Sequence, residues 1–164
     1  MGVKKFCPYC GEKLVEKPLG GRGHGYCAKC DRINYENPLP AVAVLVHNHR
    51  NQLLLVKRSV EPARGAWCLP GGFIEIDESI EEAVLRELEE ETGLKGEIEG
   101  LVDFFSQKGR YYGAILIFGY SVKILGGELK AGDDAQEAEF FDLNALPPVA
   151  FLSHQRVIEK YYKK

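Results

Sequence analysis

The sequence predicts an α/β domain, a mixed sheet flanked by helices, behind a small metal-held N-terminal piece. Three observations carry this. Four of the five cysteines fall in two pairs, Cys7-Pro-Tyr-Cys10 and Cys27-Ala-Lys-Cys30, inside a stretch with few aliphatics. Apolar runs of strand length stand on both sides of one capped, periodic helix. A second helical pattern closes the chain, so sheet and helices alternate as layers around one core.

The elements follow in order. Residues 1–35 contain the paired cysteines and six glycines, too little apolar surface to fold by burial alone. Asn37-Pro38-Leu39-Pro40 forces an extended connector, because each proline drives its predecessor toward β or polyproline geometry. The expected domains are therefore a zinc ribbon over 1–36 and an α/β domain over 37–164. Ala41–Val46 reads as a buried strand, His47–Asn51 as a turn, and Gln52–Val56 as the partner strand. Ser79-Ile-Glu-Glu82 is a capping box opening a helix over 79–92, and Gly93 stops it. Strands are expected over about 97–106 and 111–122, then a Gly126-Gly127 turn and a short strand near 138–142. Pro147-Pro148 precedes a last helix over about 153–162.

Composition excludes several classes. With 21 basic and 24 acidic side chains the net charge is −3, which argues against a general binder of phosphate backbones. No apolar run approaches the roughly 20 residues of a membrane-spanning helix. Lys4-Lys5-Phe6-Cys7-Pro8 does not continue into the apolar stretch of a secretory signal. The expected compartment is the reducing cytoplasm, where paired cysteines bind metal rather than form a disulfide framework.

Two Cys-x-x-Cys turns separated by 16 residues have the spacing of a structural zinc site, so Cys7, Cys10, Cys27 and Cys30 are the expected Zn²⁺ ligands. Four thiolates leave no open position for water, so the role is structural. His24 between the pairs reads as a loop histidine, and Cys68 as a small core hydrophobe.

Between Glu78 and Glu91 there are seven glutamates and one basic residue, Arg86. A solvated acidic face is the ordinary explanation of such a run. Two features favour chemistry instead. Glu87, Glu90 and Glu91 stand at i, i+3 and i+4, where like charges repel and a hard cation removes the conflict. The helix also follows Leu69-Pro70-Gly71-Gly72, where backbone can come close to a ligand. Arg86, four residues from both Glu82 and Glu90, is placed to orient the carboxylates. Mg²⁺ or Mn²⁺ on several carboxylates is a usual means of polarising a phosphate ester.

Gly72-x5-Glu78-x7-Arg86-Glu87-Leu88-x-Glu90-Glu91-x-Gly93-Leu94 resembles the Nudix box at every fixed position. The resemblance implies an α/β/α sandwich and hydrolysis of a nucleoside diphosphate linked to another moiety. It carries metal ligation to Glu87, Glu90 and Glu91, orientation to Arg86, and a place in the metal–water network to Glu78. The four-cysteine ribbon, Tyr35-x-Asn37-Pro38, Lys57-Arg58 and Gly65-x-Trp67-x-Leu69-Pro70-Gly71-Gly72 are similar to the zinc-ribbon Nudix subgroup, which includes NADH pyrophosphatases and a plant plastid FAD pyrophosphatase. Glu137, in Glu137-Ala-Glu-Phe-Phe141, resembles the position of a further metal-facing glutamate. Arg58, Trp67, Gly71 and Gly72 are the candidate substrate-binding positions, and Phe104, Phe105, Tyr111 and Tyr112 could stack a base.

The chain departs from the NADH pattern: Ser106-Gln107 continues as Lys108-Gly109-Arg110 instead of a proline-rich run. The proline marker of ADP-ribose pyrophosphatases is also missing, and Leu143–Phe151 looks more like the FAD-cleaving type. FAD, ADP-ribose and NADH all stay open as substrates. Two rivals stand beside the enzyme: a nucleic-acid or ligand-binding regulator using the ribbon, and a hydrolase of nucleotide-capped RNA 5′ ends. The expected partner is a small nucleotide, with no membrane; the ribbon could be a homodimer contact.

Overall fold

The structure is a computed structural model that describes residues 4–109 and 113–163. The chain forms two compact units, Met1–Pro38 with Lys108–Ala114, and Leu39–Gln107 with Ile115–Lys164.

In the first unit β1 (Val15–Leu19), β2 (Arg22–Cys27) and β3 (Arg32–Asn34) form an antiparallel sheet in that order. Among its described residues up to Pro38 the buried ones are Cys7, Gly25, Cys27 and Asn34, none of them aliphatic. Such a unit cannot be held by apolar burial. His24, expected in a loop, lies on β2, its ring set edge-on to Tyr35 with centroids 5.4 Å apart.

The second unit contains β4 (Leu39–Val46), β5 (Leu53–Arg58), β6 (Trp67–Cys68), α1 (Ile80–Thr92), β9 (Ala135–Phe141) and α2 (Leu152–Tyr162), with all but the last residues of β7 (Leu94–Gly109) and the first of β8 (Gly113–Gly127). β4 runs parallel to β8, which neighbours β7; β5 lies antiparallel between β6 and β9. The mixed character expected of the sheet is present, divided between two three-stranded sheets.

The hairpin expected from Ala41–Val46 and Gln52–Val56 is not formed. His47, just past β4, makes an isolated bridge to Leu53 of β5, and the two strands belong to different sheets. The turn itself is built: Asn48 Oδ1 accepts from the amides of Arg50 and Gln52, at 2.9 and 3.0 Å. What the local pattern could not specify is where each strand finds its partners, because both are apolar on both faces.

β4 shows why. Ala41, Ala43 and Leu45 face a core shared with Val157 and Ile158 of α2, while Val42, Val44 and Val46 face a second core with Ala83, Val84 and Leu88 of α1. An unbroken apolar run is therefore a strand covered by a helix on each side, at roughly 1.5–3 kcal/mol for each fully buried Val or Leu. Cys68 is buried in a third, smaller cluster with Val56 and Ala135, as a core hydrophobe should be. Among the described residues no helix is long and apolar enough to cross a membrane.

Candidate active site and metal centre

Residues within and beside α1 set its ends. Ser79 Oγ accepts from the Glu82 amide at 3.2 Å, and Glu82 returns a carboxylate to the Ser79 amide at 2.7 Å. Gly93 stops the helix in the left-handed conformation, φ 69°. The carbonyls of Thr92 and Glu91 then accept from the amides of Lys130 and Gly132, at 2.9 and 3.2 Å. Glu89, Glu90 and Glu91 thus stand in a last turn with no basic residue, against the negative end of the helix dipole. Each costs about 0.3–1 kcal/mol there, and stability alone would favour lysine.

Arg86 offsets that crowding. Its Nε and Nη2 grip both oxygens of Glu78 at 2.8 and 2.7 Å. Nη1 donates to Glu87 and Glu90 at 2.8 and 2.9 Å, and Nη2 also reaches the Phe73 carbonyl at 3.1 Å. All five guanidinium donors are used, so Arg86 is a frame for carboxylates with no donor left over. The pairing with Glu82 suggested by spacing does not occur, because Glu82 is committed to the cap. Arg86 holds the Glu78 carboxyl down to about 2, well below the usual range, with its hydrogen bonds as the main cause.

Glu91 is treated differently. It is 3 % exposed and has the Gly71 amide as hydrogen-bond donor, at 2.9 Å. Burial pushes its carboxyl up to about 8. Burial also raises Glu87, against the opposing pull of Arg86. A buried carboxylate with one amide donor and, among the described residues, no ion-pair partner is suited to a hard divalent ion, and the all-oxygen set fits Mg²⁺ or Mn²⁺.

The segment from Leu69 to Gly72 lies against β4: Val44 N donates to Pro70 O at 2.8 Å and Val42 N to Gly72 O at 2.9 Å. Gly71 and Gly72 owe their identity to packing. Gly71 has φ +147°, and a Cβ there would meet the Val42 carbonyl at under 3.0 Å; one on Gly72 would meet the Glu87 carboxylate.

The other expected binding residues are more dispersed. Arg58 ends β5, donates to the Pro62 carbonyl at 2.7 Å and lies over the Phe151 ring, yet its charge is felt by Glu91. Trp67 packs edge-on against Phe141, centroids 4.9 Å apart, beside the α2-side core. Glu137 faces Lys57 across the β5–β9 pairing, in an ion pair of 2.8 Å, and is half exposed. Phe105 packs in the core beneath Arg156, Phe104 is exposed, and Tyr111 and Tyr112 lie outside the described residues.

Two acids that the sequence reading passed over are closer to the box. Asp133 raises the Glu87 pKa and Asp134 that of Glu91. Their signal was a paired acid directly after Gly132, whose amide closes the end of α1.

In the first unit the ligand atoms of Cys7, Cys10, Cys27 and Cys30 all lie within 4.8 Å of one another. The Cys10 and Cys27 sulfurs are 3.5 Å apart. Hydrogen bonding to Cys10, then burial, pushes the Cys30 thiol up to about 12. Four sulfurs converging without bonding suit one tetrahedral Zn²⁺. A cleft of about 290 Å³ in the same unit is lined by Lys4, Lys5, Lys13 and His24, among others, and by no box residue.

Comparison with known proteins agrees with this geometry. The NUDIX domain profile matches residues 37–161. An ADP-ribose pyrophosphatase of Methanocaldococcus jannaschii is 45 % identical over 79 % of this chain and 76 % of its own length. The NAD-capped RNA hydrolase NudC of Pseudomonas aeruginosa is 30 % identical over 96 % of this chain, which spans about half (53 %) of that relative. A NUDIX hydrolase from Nitrosomonas europaea superposes with a TM-score of 0.85 at 28 % identity, covering 98 % of this chain and 91 % of that one. Box, layers and relatives agree: the chain belongs to the Nudix hydrolase family.

Proposed function

We propose that the protein is a divalent-metal-dependent pyrophosphohydrolase that cleaves the diphosphate of an ADP-ribose-type nucleotide and releases a nucleoside monophosphate. One observation carries the reading: Arg86 spends every donor on aligning Glu78, Glu87, Glu90 and the Phe73 carbonyl, while Glu91 is buried on the Gly71 amide. Glu87, Glu90 and Glu91 are the assigned ligands of Mg²⁺ or Mn²⁺. When bound, such an ion neutralises the diphosphate and makes water a nucleophile near neutral pH. A box glutamate accepts the proton of the attacking water. Glu78 and Arg86 hold the ligands in orientation, and Arg58 supplies positive charge beside Glu91. Glu137, tied to Lys57, is left outside the ligand set.

The substrate preference draws on the relative named for ADP-ribose and on the missing proline-rich run. Hydrolysis of ADP-ribose, FAD and NADH with Mg²⁺ and with Mn²⁺ tests it. ADP-ribose or FAD is expected to match or exceed NADH in kcat/KM. An NADH preference of about a hundredfold, some 2.7 kcal/mol, would overturn the preference, and no hydrolysis of any of the three would overturn the function.

Residues 1–36 are assigned as a zinc ribbon and 37–164 as the hydrolase domain, in a reducing, cytoplasmic compartment that keeps the thiolates available. Elemental analysis should find about one zinc per chain, lost in Cys27→Ser. Amide exchange in that variant should rise across the ribbon well before the hydrolase domain loosens, since none of the ribbon's described aliphatic residues is buried.

A second reading, cleavage of nucleotide-capped RNA 5′ ends, is favoured by the lysine-lined cleft of the ribbon. It requires RNA affinity that falls steeply with salt.

A further inference from the structure

His154 takes no part in the function assigned above, yet it is buried on α2 and its ring reaches the glycine segment beside the box. Its Nδ1 lies 3.1 Å from the Leu69 amide. An amide can only donate, so Nδ1 is the acceptor and the ring proton sits on Nε2. Burial, then the charge of Arg58, lowers the imidazole to about 4, which keeps it neutral near pH 7.

The hydrogen bonds along this segment alternate. On the β4 side, the carbonyls of Pro70 and Gly72 are taken by Val44 and Val42. The amides of Leu69 and Gly71 go instead to His154 and Glu91. Leu69 and Gly71, two residues apart, thus hold their amides on His154 and Glu91 while the carbonyls of Pro70 and Gly72 stay on β4. Leu69 is fully buried; without an imidazole acceptor its amide has no water to turn to and must move to find a partner. Pro70, with no amide of its own, adds no donor between them. Any shift at Leu69 therefore passes to the Gly71 amide, the hydrogen-bond donor to Glu91.

We propose that His154 is a positioning residue for the diphosphate-cleaving reaction: by accepting from the Leu69 amide it sets where the Gly71 amide holds the Glu91 carboxylate. This rests on the reading of Glu91 as a metal ligand. It gives α2, on the other side of the sheet from α1, a role in the geometry of the site.

The test compares three variants, with ADP-ribose as substrate and Mg²⁺ as activator. Asn places an oxygen where Nδ1 stood, Gln carries its acceptor one bond farther, and Phe keeps the ring without an acceptor. His154→Phe and His154→Gln are expected to lose about 10- to 100-fold in kcat and to need more Mg²⁺ for half-activation. KM for ADP-ribose should change little, and His154→Asn should recover most of the loss. In the metal-free protein the Gly71 amide should exchange faster in His154→Phe and His154→Gln than in His154→Asn or the wild type. A purely structural role would lower Tm and leave kcat and Mg²⁺ activation of the folded protein unchanged, which would overturn the proposal. If His154→Phe does not fold, equal kcat in His154→Asn and His154→Gln does the same. Wild-type activity in folded His154→Phe beside an inactive Glu91→Gln overturns the proposal alone. Full activity of Glu91→Gln overturns the reading of Glu91 and the proposal with it.

Discussion

Glu91→Gln is expected to lower kcat by about 10²–10⁴ while the fold persists, the range for losing one strong electrostatic or acid–base element. Gln keeps the volume of Glu and an oxygen to accept from the Gly71 amide, so the local hydrogen bond survives. What is lost is an anionic ligand for a hard cation, and a neutral amide oxygen is a poorer one. Because the loss concerns charge that develops during the reaction, it belongs mainly to kcat. Glu89→Gln is the control: Glu89 is more than half exposed and pairs with Lys95 at 3.2 Å, away from the box contacts, and its loss should change little. Equal, mild effects at both positions would return the acidic helix to a solvated charge run.

The same substitution has a signature in stability. The Glu91 carboxyl is raised by burial to about 8, whereas the unfolded chain ionises near its ordinary value of 4.5. Stability drawn from keeping it neutral is present below 4.5 and is lost as pH rises through about 8. Gln stays neutral throughout. Metal-free Glu91→Gln should therefore gain on the wild type in Tm between these two values and hold a constant lead above them. Thermal melts across that window check it; a lead that does not grow with pH would remove the buried-acid explanation.

Gly71→Ala should be the most damaging single change to stability, at about 3–5 kcal/mol, the upper part of the range for point substitutions. The backbone there has φ +147°, which an L side chain rarely adopts, and the added Cβ runs into the Val42 carbonyl and the Ala43 Cα of β4. These are backbone atoms of a buried strand and cannot step aside. For a chain of this size the expected fall in Tm is about 6–20 °C. Gly126→Ala, which meets nothing within 4 Å, should stay within about 0.5 kcal/mol. A small shift for Gly71→Ala would mean that the segment can leave β4 without unfolding the domain.

These contrasts show what was legible in the chain. The boundaries of α1 were written locally, in Ser79, Glu82 and Gly93, and so was the common face of Glu87, Glu90 and Glu91. The cysteine spacing likewise predicted a cluster that the structure forms. Strand pairing was not legible, because β4 and β5 are apolar on both faces and nothing local says which neighbour each takes. Nor was the choice of partner by Arg86. Spacing offered Glu82 and Glu90 equally, and the cap withdrew Glu82 while Glu78, eight residues away, came within reach. Asp133, Asp134 and His154 lie far from the box in sequence, so only the folded chain brings them to it.

β4 places two different demands on six consecutive residues, Ala41 to Val46. Its odd side chains belong to the core of α2 and its even ones to the core of α1. Drift in sequence can thus be absorbed on one side without disturbing the other, as long as the count of residues is kept. Insertion of a single residue would exchange the two sides wholesale, sending small Ala positions to one helix and Val positions to the other. The strand is tolerant of spelling and intolerant of length, and the unequal pattern of substitutions and insertions among descendants of this chain should bear that mark.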